Sequence, residues 1–204
     1  MPASKTLLPT RVSVDDFFEL PSDGERLELV YGECVVSPRP SEEHNDLVHD
    51  LAEILKRWVR HHDLGKISID IDVVFDEVND LVYAPDILFT AKKNPARRFK
   101  GRLLGTPDLC IEVLSPSERP WLQNRKFADY EGYGVRWYWT VQADGAQSRI
   151  EEFELVDETY VCRQETVGND WFSPAAFPEL AFRMLPLLTG NLKSAVKGKA
   201  KRLK

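Results

Sequence analysis

Two carboxylates and a lysine are the residues most able to do chemistry in this chain. Asp86 follows Pro85 at the head of the apolar run Ile87-Leu88-Phe89. Glu112 lies inside Leu109-Cys110-Ile111-Glu112-Val113-Leu114, behind a second Pro-Asp pair, Pro107-Asp108, and Lys126 comes soon after. If the two runs are neighbouring strands, Asp86 and Glu112 stand side by side, where two carboxylates repel unless a cation or a proton intervenes. Hard oxygen donors of this kind suit a divalent cation. A lysine beside them can steady an attacking water or the charge growing on a phosphate. Taken singly, Asp86 reads as a turn acid and Glu112 as a surface acid of an edge strand.

The elements that must position these residues follow from periodicity. Lys66 to Asp76 alternates, with Ile67, Ile69, Ile71, Val73 and Phe75 on one face, and reads as one long half-buried strand. Leu81 to Thr90 and Leu109 to Leu114 read as two more strands; in the latter Asp108, Cys110 and Glu112 share a face. Ser117 is the expected N-cap of a helix running to about Gly132, in which Lys126 falls one turn after Leu122 and one before Tyr130. Upstream, Val14 to Leu20 reads as a short helix and Arg26 to Tyr31 with Cys34 to Ser37 as a hairpin around Gly32. Ser41 to His61 is the clearest helix, because Leu47, Leu51, Ile54, Leu55 and Trp58 recur at helical spacing. Downstream, Val135 to Val141 reads as an aromatic-rich strand, followed by a hairpin of Arg149 to Leu155 and Thr159 to Glu165 and a short terminal helix.

With 204 residues and 43% hydrophobic content, the chain suits one globular domain with a sizeable core over residues 1–190. Residues 191–204 read as a basic, flexible tail. The N-terminus lacks the apolar run of a signal peptide and no stretch is long enough to span a membrane, so a cytoplasmic protein is expected. Three widely spaced cysteines argue against a disulfide framework and against a cysteine zinc cluster. The net charge of -6 opposes polyphosphate binding on its face, but its distribution does not. Between Asp86 and Asp108 there is no acid, while Lys92, Lys93, Arg97, Arg98, Lys100 and Arg102 all fall there. That basic loop is a candidate nucleic-acid contact, with a solvated loop as the bland reading.

Beyond these patterns, several segments resemble the Uma-two family, restriction endonucleases of the PD-(D/E)xK superfamily. They are Arg26-Leu27-Glu28-Leu29-Val30-Tyr31-Gly32-Glu33, Ser37 to His44, Ala84-Pro85-Asp86-Ile87-Leu88-Phe89, Pro107 to Ser117, and Lys126 through Trp139. The resemblance covers roughly the whole chain short of its tail. It implies that Asp86 and Glu112 bind Mg²⁺ or Mn²⁺, with the carbonyl of Val113 as an extra ligand. The superfamily lysine two residues after the acid is Leu114 here, so Lys126 on the next helix is the expected substitute. Glu28 matches an early acid that completes the metal shell or orients a water, His44 matches a histidine at the start of the long helix, and Tyr130 and Asp108 are supporting candidates. Trp137 and Gln142-Ala143 depart from the family pattern outside the proposed metal shell.

The fold so implied is α/β, a restriction-endonuclease-like mixed sheet flanked by helices. The implied activity is metal-dependent hydrolysis of phosphodiesters, DNA being the expected substrate, with no organic cofactor, no membrane and a homodimer as a further expectation. The competing reading is a non-catalytic nucleic-acid-binding or protein-interaction module that keeps the nuclease fold.

Overall fold

The computed structural model describes residues 11–21, 26–37, 39–114 and 119–197. Twelve strands form two six-stranded mixed sheets among these residues, flanked by helices. The first sheet has the order β2-β1-β5-β4-β8-β7, built from β1 (Arg26–Val30), β2 (Glu33–Ser37), β4 (Val73–Asp76), β5 (Leu81–Tyr83), β7 (Arg97–Phe99) and β8 (Arg102–Leu104). The second has the order β12-β11-β10-β9-β6-β3, built from β3 (Gly65–Ile69), β6 (Ile87–Ala91), β9 (Leu109–Leu114), β10 (Trp137–Gln142), β11 (Arg149–Val156) and β12 (Thr159–Val167). The mixed α/β class expected from the sequence is observed, with the strands divided between two sheets rather than gathered in one.

That division corrects two expected strands. The alternating run from Lys66 to Asp76 is cut at Asp70, whose φ of 48° is left-handed, so β3 and β4 lie in different sheets. The run from Leu81 to Thr90 is cut at Ala84-Pro85-Asp86, so β5 and β6 also part company. Proline has no N–H to donate to a ladder, which suits Pro85 to the break. The two crossings touch: Asp70 N–H donates to the Asp86 carbonyl at 3.2 Å. Asp86 therefore sits on the seam where the chain passes from one sheet to the other.

Three apolar layers hold the seam in place. On one face of the second sheet packs α2 (Glu42–His61), which buries Leu47, Leu51, Leu55 and Trp58 with Ile67, Ile87 and Ile111. Its start is fixed by Ser41, whose Oγ accepts the His44 N–H. Burying each of these large side chains contributes about 1.5–3 kcal/mol, and Leu51→Ala would cost about 2–5 kcal/mol. The layer between the sheets holds α3 (Pro120–Gly132), with Leu122 and Tyr130 among Phe75, Tyr83, Cys110 and Tyr138. Pro120 at the first helical position pre-sets φ and has no N–H to leave unpaired. The expected N-cap Ser117 lies outside the described residues. Beyond the first sheet, α1 (Val14–Phe18) buries Phe17 against Leu29, Val74 and Val82.

The C-terminal region differs from its reading as a tail from residue 191. After α4 (Met184–Leu188), residues 192–195 form α5 (Leu192–Ala195), Ala195 is buried, and Val196 bridges Phe182. Residues 198–204 lie outside the described ones. No described helix is long and apolar enough to cross a membrane.

Candidate functional site

Lys126 stands where the two sheets and α3 meet. The i, i+4 spacing of Leu122, Lys126 and Tyr130 puts all three on the buried face of α3. From there Lys126 Nζ reaches Glu28 Oε1 of the first sheet at 2.9 Å and Glu112 Oε2 of the second at 3.3 Å. Glu112 also accepts the Tyr130 hydroxyl through Oε1 at 2.6 Å. Glu28, fully buried on β1, accepts the Ala84 N–H through Oε1 at 3.2 Å and the Ser37 hydroxyl through Oε2 at 3.4 Å.

Asp86 joins this group through the strand register. Ile87 pairs with Ile111 across the antiparallel β6–β9 ladder, which sets the preceding residue, Asp86, across from Glu112 on the same face. Its Oδ2 accepts the Val113 N–H at 2.8 Å. Its Oδ1 takes Arg26 Nη1 at 2.9 Å and faces His44 Nε2 at 3.4 Å. Arg26 also donates through Nη2 to the Ala84 carbonyl, while its Nε lies 3.7 Å from Asp70 Oδ1, too far for a hydrogen bond.

The electrostatics fix the charge states of these groups. Burial alone would raise the Asp86 carboxyl, but the bond to His44, then Arg26 and the Val113 N–H, bring it down to about 2. Arg26 would lose affinity for its proton through burial, yet Asp86, Glu112 and Glu28 together raise it, so it stays charged. Burial first, and the Glu112 charge second, push the Tyr130 hydroxyl well up, which leaves it a hydrogen-bond donor. Burial also raises the Cys110 thiol well above its usual value, so this cysteine is inert.

The donor chemistry fits a hard divalent cation. Asp86 is held ionised, and the β6–β9 register, continued by one residue, would bring it across from Glu112. Among the described residues no three His, Cys, Asp or Glu side chains are gathered into a metal cluster. Two carboxylates with water suffice for Mg²⁺, which keeps several of its waters and is commonly held by one or two protein carboxylates. Of the expected ligands, Val113 contributes its N–H to Asp86.

Other expected residues fall elsewhere. Asp108, just before β9, accepts Ala91 N–H at 2.6 Å and Asn94 Nδ2 at 2.7 Å, so it anchors the start of the basic segment rather than joining Glu112. That segment, read as a loop, is the hairpin β7–β8, turned by Lys100 and Gly101 at φ of 47° and 84°, the twist a two-residue hairpin needs. Arg98 is tied to Ser68 Oγ at 2.9 Å, and Arg102 lies over the Phe18 ring. Lys93, Arg97 and Lys100 are exposed, as is Phe99.

Sequence reasoning missed Arg26 and the groups behind Lys126. Arg26 and Glu28 are two apart on β1, so strand alternation puts them on one face, and that was the available signal. Behind Lys126, the buried Asp129 accepts Tyr83 at 2.6 Å and Tyr31 at 2.7 Å, and the Tyr83 ring lies 5.7 Å from Lys126 Nζ.

Comparison with known proteins agrees with this architecture. The Uma2 family model, described as "Putative restriction endonuclease", matches residues 14–187, and the chain belongs to this family. Family membership supports a nuclease. A crystal structure described as a putative nuclease belonging to DUF820, from Anabaena variabilis, superposes with a TM-score of 0.70. It is 17% identical, over 87% of this chain and 98% of the other, a likeness of fold. No curated protein matches the chain.

Proposed function

We propose that the protein is a metal-dependent endonuclease that hydrolyses phosphodiester bonds in DNA, with Asp86, Glu112 and Lys126 as its working residues. The observation that carries this reading is Lys126, a buried lysine 3.3 Å from Glu112 on the face that Asp86 shares. Asp86 and Glu112 would hold Mg²⁺ or Mn²⁺. A cation so held polarises the phosphate and lowers the pKa of its bound water.

Lys126 keeps its ammonium oriented because Glu28 grips it from the opposite sheet. From that position it directs charge toward the reacting phosphate, where positive charge stabilises the transition state more than the ground state. Tyr130 fixes the Glu112 carboxylate through Oε1 and so sets the direction of its lone pairs. Glu28 is a positioning residue for Lys126 in this scheme. Lys93, Arg97 and Lys100 on the exposed basic segment would contact the nucleic-acid backbone, as would Arg98 and Arg102 if binding released them from Ser68 and Phe18. Attack by water requires no covalent enzyme intermediate.

The test is cleavage of supercoiled plasmid and of single-stranded DNA in Mg²⁺ or Mn²⁺ by wild type, Asp86→Ala and Lys126→Ala. Cleavage by wild type and loss in both variants is expected. Equal cleavage by all three would sink the assignment.

A further inference from the structure

Arg26 occupies an unusual position. Its guanidinium is bonded to Asp86 Oδ1 at 2.9 Å and lies in the combined field of Asp86, Glu112 and Glu28. Those three carboxylates and Lys126 are nearly fully buried, whereas the Arg26 side chain is 22% exposed. Between Lys126 and Arg26, it is Arg26 that reaches solvent. It opens into a cleft of about 690 Å³ lined by Arg26, Arg39, Asn45, His49, Asp70 and Asp86.

We propose that Arg26 is a displaceable counter-ion: it balances Asp86 until a divalent cation binds there, then turns into the adjacent cleft and grips a phosphate of the nucleic-acid strand. The inference rests on the reading of Asp86 as a cation ligand. A divalent cation seated on Asp86 Oδ1 would be repelled at close range by the Arg26 guanidinium already bonded there, so Arg26 and the cation compete. A guanidinium released from a carboxylate keeps its planar fork, which matches a phosphate through two parallel N–H donors. Its route is short, because Arg26 already forms part of the cleft wall. Asp70, 3.7 Å from Arg26 Nε and 77% exposed, offers a way-station at the cleft rim. In the apo protein Arg26 adds a full positive charge to the Val113 N–H and His44 that also meet this buried carboxylate.

The experiment is a calorimetric titration of the full chain with Mn²⁺ alone, without nucleic acid, for wild type, Arg26→Gln and Asp86→Asn. Arg26→Gln should bind Mn²⁺ about tenfold more tightly than wild type, since a competing charge beside the ligand is gone. Asp86→Asn should lose the binding. In Ca²⁺, added to fill the proposed cation site, Arg26→Gln should bind a short oligonucleotide about tenfold more weakly than wild type, through loss of a bidentate phosphate contact. If Arg26→Gln does not fold, a crystal structure of wild type with Mn²⁺ decides: Arg26 should have left Asp86 Oδ1. Wild type and Arg26→Gln binding Mn²⁺ equally, or Arg26 still bonded to Asp86 beside the ion, overturns the inference alone. A wild type that binds no Mn²⁺ overturns the cation reading and this inference with it.

Discussion

Two buried glutamates on opposite faces of the same sheet show what separates a candidate site from a structural anchor. Glu112 on β9 faces α3 and is met by an ammonium and a phenol, Lys126 and Tyr130. Glu152 on β11 faces α2 and is met by neutral N–H groups: Trp139 Nε1 at 3.0 Å, Ala175 N at 2.7 Å and Ala176 N at 3.1 Å. They are close in the ladder, since Trp139 pairs both with Ile111, the neighbour of Glu112, and with Glu152. Burial raises the Glu152 carboxyl, and the N–H groups of Ala175 and Ala176 draw it back in part. Burial alone therefore does not mark chemistry. What would distinguish a reacting glutamate from an anchor is the kind of donor: backbone and indole N–H groups fix a loop, whereas an ammonium at the tip of a long arm can stabilise a charge that develops nearby.

The largest expected effect is on the Glu112 side. Lys126→Ala should lower the rate of DNA cleavage by about 10²–10³, as removal of one well-placed electrostatic donor does elsewhere. It should also destabilise the fold by about 3–5 kcal/mol, because Glu28 and Glu112 would lose a shared buried partner. Rates must therefore be referred to folded protein, measured by circular dichroism. An active Lys126→Ala would erase the distinction between the two glutamates.

Next in size is the structural counterpart. Glu152→Ala leaves the Trp139 indole and two backbone N–H groups without their acceptor, and should cost about 2–3 kcal/mol in urea unfolding. Turnover per folded molecule should stay as in wild type. A fall in turnover as large as that of Lys126→Ala would show that Glu152 also acts on the reaction.

Acid sharpens the contrast further. Asp86 has a folded pKa of about 2, below its unfolded value, so its stabilisation is present above the unfolded pKa of about 4 and is lost as pH falls toward 2. The amount is on the order of 2 kcal/mol. Glu152 has the opposite sign: its raised carboxyl favours the folded state as pH falls and disfavours it as pH rises through the shifted value. Urea midpoints between pH 5 and pH 2.5 should fall less steeply in Asp86→Asn than in wild type, and identical slopes would show that Asp86 carries no such stabilisation.

Much of this arrangement could be read from the sequence because it depends on local periods. The helical spacing of Leu47, Leu51, Leu55 and Trp58 appears as α2, and the spacing of Leu122, Lys126 and Tyr130 delivers the lysine. The division into two sheets could not be read in this way. Alternation continues through Asp70, and apolar residues run on both sides of Ala84-Pro85-Asp86, as if each strand ran on across the crossing between sheets. The same limit hid the partnership of Arg26 with Asp86, residues 60 apart that meet only because β1 and the seam between β5 and β6 adjoin.

The smallest expected effect concerns the basic hairpin. Arg97→Ala combined with Lys100→Ala should reduce the salt dependence of DNA binding by about one unit of slope for each phosphate that the pair neutralises. Arg98→Ala should act more on stability, because Arg98 is bonded to Ser68 and Thr90 across the sheets. Unchanged salt dependence in the double variant would remove the hairpin from the proposed interface.

The most direct measurement is single-turnover DNA cleavage in Mg²⁺ by Glu112→Gln beside Glu152→Gln, each normalised to folded protein. Glu112→Gln should be inactive and Glu152→Gln should cleave at the wild-type rate. Equal rates in the two variants would contradict the assignment of Glu112 to the reaction and of Glu152 to the fold.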